Sequence, residues 1–199
     1  MRWVSLLLVV PAMMVGVVCG YGQYSAAATQ YTISFPLGNT KDRVDQVSFR
    51  GFTFDYRYHI NDSWCIGART GWYTFYEEKD RATYTLSEGH ASLTGKQFRY
   101  INSLPLLFMG DYYFHAEQNM SAFAGFGAGV TYNRLDVRMS QEGARTDAWQ
   151  FSLSPEIGVR MKLDADLYGY VALSYNNCFS TDDLEAQSYL NLSIGLLYH

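Results

Sequence analysis

Apolar and polar residues alternate with a period of two along most of this chain. The stretch 148–162 shows the pattern without a break. Trp149, Phe151, Leu153, Pro155, Ile157, Val159 and Met161 fall on one face, and Gln150, Ser152, Ser154, Glu156, Gly158, Arg160 and Lys162 fall on the other. A strand with one greasy and one polar side gives this spacing, whereas a helix would scatter both sets around its circumference. The same alternation marks 52–60, 64–76, 167–178 and 190–198. Upstream of Phe52, Val47 and Phe49 have the opposite parity, so a bulge is expected at Gly51. Three further strands are expected at 28–36, 97–114 and 121–135, the last rich in Ala and Gly with no clear facing.

Eight strands leave seven connections, at 37–46, 61–63, 77–96, 115–120, 136–147, 163–166 and 179–188. Long and short alternate, and Asn61-Asp62-Ser63 and Leu163-Asp164-Ala165-Asp166 have turn chemistry. An even strand count with tight turns at one end and longer loops at the other describes an all-β, eight-stranded antiparallel transmembrane up-and-down β-barrel. Period two alone fits a soluble sandwich equally well, so aromatic placement has to decide. Tyr58, Trp64, Tyr112, Phe114 and Tyr198 fall near the short-turn, periplasmic ends. Trp72, Tyr76, Phe98, Tyr100, Trp149 and Tyr175 fall near the outer ends, with Leu106, Leu153, Val171 and Ile194 between. Two aromatic belts around an aliphatic band match the two faces of a membrane, and a sandwich core would gather its aromatics at mid-strand.

The polar faces then point into the bore. An eight-stranded lumen is only wide enough for side chains, and charges held there need partners. The expected lumen network is Asp55, Arg57, Arg69, Arg99, Glu156 and Arg160, with Asp111 on the same inward set. Glu156 is expected to contact Arg69, Arg99 or Arg160, forming a polar plug in place of a channel. The topology puts Cys65 at the periplasmic end of one strand and Cys178 at the outer end of another, so both are expected to be unpaired thiols.

Residues 1–22 differ from the rest. Arg2, an apolar run from Trp3 to Val18 and small residues at Gly20 and Gly22 read as a secretory signal peptide, leaving 23–199 as the barrel. Cleavage after Gly22 leaves 14 basic and 19 acidic side chains, a net charge of −5. That excludes a general basic footprint for nucleic acid. Apolar residues at 48%, aromatics at 17% and charged residues at only 17% also exclude a disordered chain or a coiled coil.

Motifs for chemistry are sparse. The chain has no Walker loop, HExxH or CxxC, and the Gly-rich run 125–129 sits within a strand with no helix after it. A hydrolase or acyltransferase would need a His and a Ser in contact. His59 points inward near the periplasmic end, while Ser152 and Ser154 are inward on the sixth strand at other heights; His90, His115 and His199 fall in loops or at the end of the chain. Acid groups at Glu77, Glu78 and Asp80 and at Asp182, Asp183 and Glu185 are oxygen donors that Ca²⁺ would accept, but they read more simply as solvated loop charge. No catalytic, metal or cofactor site is expected.

Several stretches, SFRGFTFDYRYHINDSWCIGARTGWYTFYEE (48–78), TGKQFRYINSLPLLF (94–108), FAGFGAGVTY (123–132), FSLSPEIGV (151–159) and SYLNLSIGLLYH (188–199), resemble the small outer-membrane β-barrel proteins of Bacteroidota, within the wider OmpA/OmpW-like barrels. The resemblance implies an outer-membrane address after signal cleavage, with outer-membrane lipid, lipopolysaccharide and the barrel assembly machinery as partners. Gly195 and Tyr198 resemble the C-terminal signal read by that machinery, although the chain ends at His199 without a final Phe. The expected role is non-enzymatic: envelope integrity, or contact with a surface or envelope-protein partner through loops 77–96 and 136–147. OmpW-like transport of a small ligand is the alternative, with Pro105 and Pro155 marking a weak seam in the wall. A lipid-modifying enzyme is the third reading.

Overall fold

The structure is a computed structural model that describes residues 25–85, 92–115, 118–139 and 142–198. The expected signal segment 1–22 and the residues His90 and His199 lie outside the described residues. The chain forms β1 (Ser25–Leu37), a short helix α1 (Gly38–Arg43), β2 (Ser48–His59), β3 (Trp64–Thr85), β4 (Ser92–Tyr113), β5 (Met120–Met139), β6 (Glu142–Lys162), β7 (Leu167–Cys178) and β8 (Gln187–Tyr198). Each strand pairs antiparallel with its sequence neighbours, and β1 pairs with β8 to close the barrel. Closure leaves no strand edge, and a sheet that crosses lipid needs every backbone group paired.

Facing follows the alternation. On β6, Trp149, Phe151 and Ile157 are exposed on the outer wall, while Gln150, Ser152, Ser154 and Glu156 are buried in the bore. The Ala- and Gly-rich β5 turns Phe123 and Thr131 inward and Phe126 and Val130 outward. The parity change in β2 is a bulge. Gly51 pairs with Thr32 and Ser48 with Ser34, so Phe49 and Arg50 share one place opposite Ile33, just upstream of the glycine. At the first periplasmic turn, Asn61 Oδ1 accepts the amides of Ser63 (3.0 Å) and Trp64 (2.8 Å), the side-chain turn that the sequence suggests.

Two of the expected outer loops need correction. Most of 77–96 and 136–147 is strand: β3 runs to Thr85 and β4 starts at Ser92, and β5 and β6 are separated only at 140–141. Strands β3 to β6 have 20 to 22 residues, against 12 or 13 for the other four. A membrane-crossing strand needs about 9–11, so β3–β6 continue beyond the membrane as two tall, paired hairpins. Lipid no longer enforces alternation there, and the β3–β4 ladder continues with one register shift between Lys79 and Ala82. Residues 37–46 also depart from a plain loop. Gly38, at φ +50°, turns the chain off β1 into α1. Thr40 and Val44 are then fully buried in the outer mouth, where Leu184 from the last outer loop joins them.

Candidate functional site

The lumen is filled in layers. At the periplasmic end Tyr113, Phe123, Tyr170 and Leu197 pack with Ala26, Ala28 and Cys65. At the outer end Tyr73, Phe75, Ile101, Leu135 and Tyr189 pack with Cys178 and the two loop residues Val44 and Leu184. Cys65 and Cys178 are free and belong to opposite apolar plugs. The bore is therefore not polar throughout. Inward-facing aromatics and aliphatics bracket the charges.

Between the plugs lies a layer of five charged side chains, all 3% exposed or less. Strand register builds it. Asp55 and Arg69 are direct partners across β2 and β3, and Asp111, Gly125 and Glu156 line up across β4, β5 and β6. Gly125 is required there, because a Cβ at that position would run into the Asp111 carboxylate. Arg69 grips Asp55 side-on, through Nε at 2.6 Å and Nη2 at 2.9 Å, and holds Glu156 through Nη1 at 2.5 Å and Nη2 at 2.9 Å. Arg57 donates Nε to Asp111 (2.6 Å) and Nη2 to Glu156 (3.1 Å), and its Nη1 lies 3.3 Å from Asp55. The Arg57 guanidinium also sits 5.0 Å from the Tyr170 ring centre and 5.7 Å from that of Phe123. Gln30 adds a bond to Asp55 (2.7 Å), and the Tyr170 hydroxyl adds one to Glu156 (2.9 Å). Three carboxylates face two guanidiniums, and bidentate forks supply the geometry that buried charges need.

Of the expected network, the structure brings Asp55, Arg57, Arg69 and Glu156 together with Asp111, which the sequence places on the same inward set. Glu156 meets Arg69, as one of its three expected partners, and also Arg57, which was not among them. The remaining two expected partners stand elsewhere. Arg160 lies at the periplasmic end over the Tyr113 ring (4.2 Å). Arg99 lies at the outer mouth, where Nη1 donates to the Arg43 carbonyl at 3.1 Å. Their strands carry them to other heights, which parity alone does not report. Sequence reasoning also missed the loop plug. Its one signal was an apolar residue set among polar ones within a connection, Val44 in 37–46 and Leu184 in 179–188.

The other candidates disperse. His59 packs against Tyr113 with ring centres 5.5 Å apart, while the Ser152 hydroxyl is bonded to Thr131 (2.6 Å) at the outer half of β6. Of the acid clusters, Glu185 is paired with Arg43 at 2.8 Å. Among the described residues no group of His, Cys, Asp and Glu is arranged to hold a metal ion.

A family model described as the outer membrane protein beta-barrel domain matches residues 9–199. The chain belongs to this family. As an outer membrane beta-barrel protein it is integral to the outer membrane. Solved structures agree on the fold. OprG from Pseudomonas aeruginosa is 12% identical, with a TM-score of 0.54 over 90% of this chain and 97% of that one. Ail, the attachment invasion locus protein of Yersinia pestis, in complex with the heparin analogue sucrose octasulfate, is 14% identical, with a TM-score of 0.52 over 87% and 97%. No curated protein sequence matches the chain.

Proposed function

We propose that this outer membrane beta-barrel is a sealed, non-enzymatic scaffold that serves the envelope through its outer wall and its two tall hairpins. The observation that carries this reading is the filled bore. Two apolar plugs enclose a buried, densely paired charge layer, so the surfaces on offer are the lipid-facing wall and the β3–β4 and β5–β6 hairpins. Outer-membrane lipid and lipopolysaccharide are the partners of the wall, and the barrel assembly machinery is the partner during insertion. The hairpins, which rise beyond the membrane, suit a surface or envelope-protein partner, and the acidic net charge argues against nucleic acid. Dispersal of His59, Ser152 and Ser154 gives the lipid-modifying reading no support. The stretches quoted above favour the Bacteroidota type within the family. The test replaces residues 79–97 by an Asn-Gly turn joining Glu78 to Phe98, which are direct partners across the ladder. Surface crosslinking to neighbouring envelope proteins is expected to fall while outer-membrane insertion is kept. Unchanged crosslinking would refute the hairpin role.

One feature favours the transport reading as second. The β3–β4 ladder skips two pairs between Thr70↔Leu106 and Tyr73↔Ser103, beside Pro105, and the β6–β7 ladder skips two between Leu153↔Asn177 and Glu156↔Ser174, beside Pro155. Proline lacks the amide a ladder needs. If ligands pass through these seams, Pro105→Val with Pro155→Val should lower uptake of a small apolar ligand into cells. Uptake equal to that of the native barrel speaks against passage there.

A further inference from the structure

The outer mouth holds a cavity of about 130 Å³ outside the charge layer. Register sets its walls. Arg99 faces Val137 across β4 and β5, and one step deeper Ile101 faces Leu135. Val44, from the chain after α1, closes one side, and Arg43 stands at the rim. The floor is apolar and dry: Val44, Ile101 and Leu135 are 5% exposed or less. The polar end belongs to Arg99. Its Nη1 is engaged with the Arg43 carbonyl, whereas its Nε is buried without a hydrogen-bond partner among the described residues. Nε and Nη2 form the edge of a guanidinium that grips a carboxylate side-on, as Arg69 grips Asp55 deeper in the same bore. Arg43 is already neutralised by Glu185 at 2.8 Å. Glu77, directly across from Arg99 on β3, makes no ion pair with it among the described residues.

From this we infer that the outer mouth binds a small monocarboxylate: its headgroup on the free edge of Arg99 and its short apolar tail on Ile101, Leu135 and Val137. Size agrees. A cavity of about 150 Å³ accommodates a benzene, which has six heavy atoms, and a four-carbon carboxylate also has six. The buried Nε–H without a partner is costly, and a carboxylate spanning Nε and Nη2 satisfies it with charge-assisted bonds. Below the cavity the outer plug and the charge layer block the bore, so this is a capture site open to the outside and separate from any passage through the wall.

The test uses the full barrel in detergent micelles, with sodium butyrate as the probe and saturation-transfer NMR as the readout. Folding of each variant is checked by heat-modifiability on a gel. A six-atom ligand is expected to bind at about 1–10 mM. Arg99→Gln should weaken binding by about tenfold or more, the effect of a lost charge-assisted pair. Butyramide, which keeps the shape and loses the charge, should be weakened to a similar degree. Val137→Phe, which leaves Arg99 in place and fills the cavity beside it, should abolish the signal. Equal binding of butyrate by native and Arg99→Gln barrels, equal binding of butyrate and butyramide, or no saturable binding by the native barrel would each overturn the inference.

Discussion

Arg69 shows why charge can be kept in a bore this narrow. Its guanidinium spends two edges on two carboxylates, Asp55 and Glu156, and none of the three side chains is more than 3% exposed. Desolvating such ions costs several kcal/mol each, and only near-complete hydrogen bonding offsets it. The layer is therefore asymmetric under mutation. Arg69→Met leaves two carboxylates facing the cavity it vacates and is expected to destabilise the barrel by about 3–5 kcal/mol. Arg69→Met combined with Asp55→Leu and Glu156→Leu removes the orphaned charges as well and should recover much of that loss, although Arg57 then keeps only Asp111. Urea unfolding in lipid vesicles, followed by the gel shift between folded and unfolded forms, reads both. A triple variant no more stable than the single would mean that the layer acts through packing rather than charge.

Strand length is where the sequence and the structure part. Inside the membrane, lipid punishes every polar side chain on the outer wall, so alternation is enforced and the strands can be read residue by residue from 148–162 or 64–76. Beyond it, as in the charged run Glu77-Glu78-Lys79-Asp80-Arg81, nothing enforces the pattern, although β3 and β4 stay paired as far as Thr85 and Ser92. The charges inside the bore were legible for the same reason as the strands, because parity gives facing. Their partners were legible only in part: Arg69 was an expected partner of Glu156, and Arg57 was not. Arg57 and Glu156 meet across the lumen from strands β2 and β6, and height and reach decide that, not sequence spacing. The hairpin extension is also the part the barrel can lose. Joining Glu78 to Phe98 by a two-residue turn removes only pairs above that rung, and Asn-Gly suits the tight turn between twisted strands. Stability is expected to stay within about 1 kcal/mol of native, because the plugs and the charge layer lie below the cut. A collapse of folding in this variant would show that the hairpins help to build the barrel rather than stand on it.

The orientation of the whole molecule can be checked with its own tryptophans. Trp64, Trp72 and Trp149 all point outward, at 54%, 37% and 53% exposure. Trp64 stands against Tyr112 and Phe114 follows, the periplasmic belt, and Trp149 stands against Tyr132 in the outer one. Along β3, Trp64 and Trp72 are eight residues apart. That is about 26 Å of strand at ~3.3 Å per residue, and about 20 Å along the membrane normal once tilted by ~40°. An outer-membrane apolar band is ~25 Å tall, so both belts lie close to its edges and none of these three tryptophans lies at the centre. Lipids brominated high on the acyl chain are therefore expected to quench the fluorescence of the folded barrel more strongly than lipids brominated near the bilayer midplane. Phe108→Trp supplies the control. Phe108 is 80% exposed in the aliphatic band between the belts, so a tryptophan there should reverse the depth preference of the added signal. If the native tryptophans were quenched most by midplane bromine, or by neither lipid, the belts would not mark the two membrane faces. The inward placement of the charge layer would then lose its physical reason.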